Sequence, residues 1–262
     1  MGENTPVIRS TYGENEWHFG ELRLPEGAGP HPVALIIHGG FWYAQYGLDL
    51  MDKMAEDFTS RGWATWNIEY RRNGHEGGAY PGTLMDVGAA ADHLRQLADQ
   101  YPLNLANVVA IGHSAGGHLA LWLAGRHQLP VDSELYVAQP LALKGVVSLA
   151  GVTDMHHMWE VRQVNSPVVA FLNGTPEQVP DRYAQTSPAL LLPLGVPQIL
   201  VHGTEDVDVP LALSTAYLPK AQAAGDRVEL VELAGVEHFK VIDPASEAWP
   251  PIVEAMHKLT RG

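Results

Sequence analysis

Ser114, Asp206 and His238 are the side chains whose types, order and neighbours could together do nucleophilic chemistry. Ser114 stands in Gly112-His113-Ser114-Ala115-Gly116-Gly117, Asp206 in His202-Gly203-Thr204-Glu205-Asp206-Val207-Asp208-Val209-Pro210, and His238 in Gly235-Val236-Glu237-His238-Phe239. A serine hydroxyl is a weak nucleophile until a base, commonly histidine, takes its proton, and the base must itself be oriented by a third group. Serine, acid and base follow in that order here, and such a set attacks an acyl carbon and passes through a tetrahedral oxyanion. Asp208 and Glu205 compete for the acid position, and each is more simply a capping or solvated acid if Asp206 holds it. With 13 histidines in the chain, His238 is singled out by its place after the last strand. Taken alone it would read as an ordinary surface or structural residue.

The oxyanion needs donors. His38-Gly39-Gly40-Phe41-Trp42 follows a strand-like run, and two glycines there let backbone N–H groups approach a ligand oxygen. The expected donors are the N–H groups of Ala115 and of Gly40 or Phe41. The plain alternative is a tight strand-to-helix turn that His38 braces. Phe41 and Trp42 leave the backbone close to the reacting carbonyl. Trp42, with Met155 and Trp159 further on, is therefore expected to line the substrate pocket, or else to pack as a satellite core.

These groups need a scaffold. Val108-Val109-Ala110-Ile111 reads as a buried strand and His118 to Ala124 as a helix, so Ser114 falls on a sharp strand-to-helix turn with small residues two before and two after it. Further strands are predicted at Trp17 to Leu24, Val33 to Ile37, Trp63 to Tyr70, Lys144 to Leu149, Val196 to Val201 and Arg227 to Leu233. Helices are predicted at Leu48 to Arg61, Met85 to Tyr101, from Pro210 onward, and at Ala245 to Leu259. Apolar runs without alternation suit strands covered on both faces. The segment 151–194 breaks the alternation and reads as a small cap. His156 and His157 within it are expected to be surface residues, because adjacent side chains rarely face one ion and no third ligand stands at metal-site spacing.

Composition narrows the classes. The chain has 262 residues, 46% hydrophobic and 18% charged, with no cysteine and a net charge of −14. Thiolate chemistry, disulfides and thiolate metal sites are excluded. The negative charge disfavours nucleic acid and anionic membrane. No apolar run approaches the ~20 residues of a membrane span, and nothing at Met1 to Pro6 reads as an export or lipidation signal, so a cytoplasmic protein of one domain, 1–262, is expected. The sequence sets no oligomeric state.

With these strings in view, the chain resembles the α/β-hydrolase superfamily over essentially its whole length, and within it the esterase and kynurenine-formamidase-like branch, whose members carry HGG followed by an aromatic and Trp. Phe41 departs from the HGGG pattern of hormone-sensitive-lipase-like enzymes. The stretch Phe171 to Glu177 through Ser187-Pro188 is also similar to prolyl-oligopeptidase-like and feruloyl-esterase-like relatives. The resemblance implies a mostly parallel sheet of about eight strands with helices on both faces and a small cap insertion. It implies serine hydrolysis of carboxylic esters of small to medium size, with no metal and no organic cofactor. The substrate would be a small-molecule ester or amide. Aryl formamidase chemistry with the same residues is the alternative, and a catalytically silent binding module is the alternative from another class.

Overall fold

The computed structural model describes residues 6–261. The stretch from Met1 to Thr5, read above for export signals, lies outside them. Eight strands form one sheet in the order β1 (Ile8–Thr11), β2 (Phe19–Arg23), β4 (Ala64–Ile68), β3 (His31–Ile37), β5 (Leu103–His113), β6 (Gly145–Leu149), β7 (Gln198–Gly203), β8 (Val228–Leu233). β2 is antiparallel to both its neighbours. Every pairing from β4 through β8 is parallel.

Parallel strands need crossovers, and the crossover helices cover both faces of the sheet. On β3, Val33, Leu35 and Ile37 enter one apolar cluster while Ala34 and Ile36 enter the other, as the two-residue period of a strand requires. The first cluster is completed by α2 (Gly82–Asp92), α3 (Leu94–Ala98), α4 (Ala115–Gly125) and α8 (Ala212–Ala223). The second is completed by α1 (Asp52–Ser60) and α9 (Trp249–Thr260). From β3 the chain steps one way to β4 and later the other way to β5. The crevice past the carboxyl ends of β3 and β5 is the kind of switch point where open parallel sheets bind ligands.

Segment 151–194 holds α5 (Met155–Arg162), α6 (Pro167–Leu172) and α7 (Pro180–Thr186), with short 3-10 turns at Gln163–Asn165 and Pro188–Leu190. Asp154 caps α5, accepting from the N–H groups of His156 and His157 at 3.1 and 3.2 Å. Pro167 and Pro180 each open a helix at its first turn, where no N–H is needed. Met155, Met158, Phe171 and Leu172 are buried in the same cluster as Leu119 and Trp122 of α4.

Several boundaries differ from the sequence reading. The helix expected at Met85 begins at Gly82 and breaks into α2 and α3, and the one expected at Ala245 begins at Trp249. The run from Leu48 divides into a 3-10 turn, Leu48–Met51, and α1. The helix expected at Pro210 starts at Ala212. β1, half-exposed with pattern-poor residues Ile-Arg-Ser-Thr, was not foreseen because an edge strand carries no apolar run. Among the described residues no helix is long and apolar enough to cross a membrane.

Candidate active site

Ser114 sits between β5 and α4 with φ 58° and ψ −119°, a strained conformation for a residue with a side chain. Its N–H donates to Leu149 O at 2.8 Å, which ties the turn to β6. The flanking glycines are dictated by space. A Cβ on Gly116 would lie 2.1 Å from Ile37 O and 2.5 Å from His38 O, and one on Gly112 would lie 2.1 Å from Gly116 O. Those neighbours are backbone and cannot move aside. Ser114 itself is only 2% exposed. The Gly39 loop covers it: a Cβ on Gly39 would fall 3.0 Å from Ser114 Cβ and 2.6 Å from His113 O.

His238 and Asp206 meet as the chain order suggested. His238 Nδ1 lies 2.6 Å from Asp206 Oδ2, and the Asp206 side chain is fully buried. Asp206 Oδ1 accepts from the N–H groups of Asp208 and Val209 at 3.0 and 2.8 Å, which fixes the carboxylate plane. A second histidine, His202, brings Nε2 to 3.3 Å from Asp206 Oδ2 and 2.8 Å from Val209 O, while its Nδ1 lies 2.8 Å from Ser214 Oγ. Burial alone pushes the Asp206 carboxyl up. Hydrogen bonds from His202 and His238, the charge of His238 and the Val209 N–H outweigh it and hold the group well below the usual carboxylate range. Glu205 and Asp208, the rivals for this position, line with Val207, His238 and Phe239 a cavity of about 470 Å³.

His113 links this pair to the serine. Its Nε2 donates to His238 O at 2.9 Å, and the two rings lie 4.4 Å apart. Burial, reinforced by the neighbouring His238 charge, pushes the His113 imidazole down to about 3, so it is neutral and its Nε2 carries the hydrogen. Ser114 is next in sequence. His238 and Ser114 are thus both held against one buried residue, at the carboxyl ends of β5 and β8.

Gly40 has φ 111° and Tyr46 occupies the space a Cβ would need. Among the described residues the N–H groups of Gly40, Phe41 and Ala115 have no protein acceptor. Ala115 N–H is an orphan of the first turn of α4. Behind the loop, His38 Nδ1 lies 2.7 Å from Gly39 O and Nε2 lies 3.0 Å from Glu69 Oε1, with the ring stacked on Tyr70.

The expected pocket wall is corrected in part. Trp42 and Met155 have no exposed surface. Trp42 stacks on Phe171 at 4.6 Å and meets His118 edge-on, so it packs as core between α4 and α6. Met155 lies in the same cluster because the Asp154 cap turns the first turn of α5 inward. Trp159 and Phe41 are half-buried and pack against the cluster's rim. His156 is exposed and pairs with Glu160. Asp206, Asp208 and His238 offer ligand atoms within 4.8 Å of one another. The 2.6 Å between Asp206 Oδ2 and His238 Nδ1 is a hydrogen-bond separation, shorter than two ligands around one ion would keep. Sequence reasoning did not assign roles to His202, His113 or Glu69. His113 and His202 stood inside the strings around Ser114 and Asp206, while Glu69 fell in the strand expected at Trp63 to Tyr70 with no motif to mark it.

A family model described as BD-FAE matches residues 21–220. The chain belongs to the BD-FAE family. The match runs from within β2 to within α8, including the His38 loop, Ser114 and Asp206, and stops before His238. This BD-FAE chain is 27% identical over 232 residues to Esterase LipC of Mycobacterium tuberculosis, covering 82% of this chain and 55% of the relative. It is also 27% identical over 275 residues to the probable isoprenylcysteine alpha-carbonyl methylesterase ICME of Oryza sativa subsp. japonica, covering 95% of this chain and 62% of the relative. It therefore spans somewhat more than half the length of these relatives. Among solved structures, a truncated form of a carbohydrate esterase from gut microbiota superposes with a TM-score of 0.87 at 20% identity, covering 100% and 99% of the two chains. Thermogutta terrifontis esterase 2 phosphoramylated by tabun superposes with a TM-score of 0.76 at 19% identity, covering 99% and 94%. These likenesses establish the α/β-hydrolase fold for the BD-FAE chain.

Proposed function

We propose that this protein is a cytoplasmic serine carboxylic ester hydrolase acting on small to medium substrates through an acyl-enzyme, without metal or organic cofactor. The observation that carries the reading is the 2.6 Å contact of His238 Nδ1 with buried Asp206, held by His113 next to the strained Ser114. The esterase names of the two curated relatives support it. Asp206, kept ionised, fixes the His238 tautomer with Nδ1–H toward it and leaves Nε2 free as base. His238 takes the Ser114 proton as Oγ attacks the acyl carbon. It then returns that proton to the leaving alkoxide, and a water repeats the cycle to release the acid. The N–H groups of Ala115 and of Gly40 or Phe41 bind the oxyanion, a contribution of ~3 kcal/mol per donor in comparable sites.

The test is direct. The pure protein should hydrolyse short-chain phenyl esters and be labelled by a fluorophosphonate, and Ser114→Ala should do neither. A panel adding N-formylkynurenine, acetylated sugars and prenylcysteine methyl esters assigns the leaving group. Labelling that persists in Ser114→Ala would overturn the nucleophile, and no labelling with no turnover would leave a binding module.

A further inference from the structure

We propose that His38 is a positioning residue that strengthens the oxyanion donor through the peptide bond it touches. The inference rests on the reading of Gly40 N–H as an oxyanion donor. Gly39 C=O and Gly40 N–H belong to one peptide unit, and in a trans peptide they point opposite ways. His38 Nδ1 lies 2.7 Å from Gly39 O, and that oxygen can only accept, so Nδ1 carries a hydrogen and donates. The carbonyl is thereby pulled toward His38, and the Gly40 N–H must face away from it. The same loop packs closely over Ser114, since a Cβ on Gly39 would lie 3.0 Å from Ser114 Cβ. Gly40 N–H has no protein acceptor among the described residues.

A hydrogen bond into a carbonyl polarises its amide and makes the N–H a stronger donor, because chains of hydrogen bonds reinforce one another in a low-dielectric interior. The far side of the ring is built to hold this arrangement. His38 Nε2 lies 3.0 Å from Glu69 Oε1. Glu69 also accepts from the N–H groups of Tyr70 and Leu48 and pairs with Arg72 at 3.2 Å, the set of donors an ionised carboxylate wants. Burial works against the ionised form of Glu69, and the His38 hydrogen bond and charge, then Arg72 and the Tyr70 N–H, outweigh it, so its carboxyl lies below its ordinary value. Both ring nitrogens of His38 thus lie within hydrogen-bond distance of an oxygen. Tyr70 stacks on the ring at 4.3 Å and donates to His38 O at 2.7 Å, so neither ring nor backbone can turn. His38 itself is fully buried and lies behind the loop, out of reach of substrate. A mere brace would need shape only. This one places a donor on the single carbonyl coupled to the oxyanion N–H.

The experiment compares wild type, His38→Phe and His38→Asn on an ester and its thionoester. Phe keeps the ring on Tyr70 but removes the donor, while Asn keeps a donor near the Nδ1 position. Sulfur accepts hydrogen bonds poorly, so the ester-over-thionoester preference reads oxyanion stabilisation and not general structure. His38→Phe is expected to lose about 10- to 50-fold in kcat with KM within about twofold, less than the roughly 10²- to 10³-fold loss of a whole donor, and to shrink the ester preference. His38→Asn should recover most of both. Retained kcat in His38→Phe, or a loss with the ester preference unchanged, overturns the proposal. If His38→Phe does not fold, ring ¹⁵N shifts of ¹⁵N-histidine-labelled wild type decide: a protonated Nδ1 at His38, assigned against His38→Asn, supports the proposal, and an unprotonated Nδ1 refutes it. Fluorophosphonate labelling of wild type separates the two failures. Intact labelling with an unchanged ester preference sinks only the role of His38, whereas no labelling sinks the reading of Ser114 and the proposal with it.

Discussion

Asp206 receives both His238 and His202 on one oxygen and two backbone N–H groups on the other, so its charge organises more than the base. Asp206→Asn keeps the volume but presents an amide, and it favours the His238 tautomer with Nε2 already protonated. The expected loss in kcat is about 10³- to 10⁴-fold with the melting temperature nearly kept, to be read by ester hydrolysis and calorimetry. A loss under tenfold would return the acid role to Asp208 or Glu205. Ser114→Ala removes a hydroxyl from a strained residue; labelling and turnover should vanish while stability holds or rises slightly.

At the scale of elements, the approach of α4 to β3 decides which positions tolerate a side chain. Gly116→Ala would put a methyl 2.1 Å from Ile37 O, a contact backbone cannot relieve. It should lower the melting temperature by about 5 °C or more, or abolish soluble expression. Gly62 has φ 93° but nothing within 4 Å of its Cβ position, so Gly62→Ala should cost only about 1 kcal/mol of local strain, on the scale of left-handed penalties. Equal losses in the two variants would mean that crowding is not what fixes the elbow. In the cap, Met155 is wholly buried and Trp159 half-buried. Met155→Ala should therefore cost about 2–5 kcal/mol as a core truncation. Trp159→Ala is expected to reorder preference among acetyl, butyryl and aromatic esters with a smaller thermal shift. Uniform loss on all esters would make Trp159 structural and move the search for specificity to the loop from Arg72 to Tyr80.

For the whole molecule, buried histidines set the response to acid. Burial holds His113 at about 3, and burial holds His118 at about 4, against roughly 6.5 in an unfolded chain. As pH falls from 6.5 toward 4 the unfolded chain takes up protons that the folded chain refuses, so stability is full above 6.5 and declines below it. Asp206, Asp154 and Glu69, whose carboxyls lie below their ordinary values in the fold, add a further loss once the pH falls below those ordinary values, where the unfolded chain takes up protons that the folded carboxylates refuse. Relief of the −14 net charge acts in the opposite sense until the isoelectric point near 5.3. The melting temperature should thus fall most steeply below about pH 5. His118→Gln, which can still donate to Thr186 O in place of His118 Nε2, should flatten that slope. An unchanged slope would show that His118 does not titrate across unfolding.

Much of this was legible in the chain itself, because the informative residues act locally. Gly112 and Gly40 are demanded by neighbours a few residues along, Gly116 O and the Tyr46 ring, and strand-loop-helix alternation follows from periods of two and 3.6 residues, whereas Gly116 and Gly39 answer to Ile37 O and His113 O across the sheet and stood out only through the short strings that hold them. The order serine, acid, histidine needs no more than the order of strand ends. What the sequence could not carry were contacts between segments far apart in the chain. Trp42 read equally as wall or core until Phe171, 129 positions along by number, stacked on it. His202 and His113 were ordinary polar residues within motif strings, and Glu69 one more residue of an expected strand, until β3, β4, β5, β7 and the loop after β8 brought them to one sheet edge. Burial there is what turns them from solvated side chains into fixed donors and charges, and burial is a property of the assembled sheet and its covering helices, which no local period encodes.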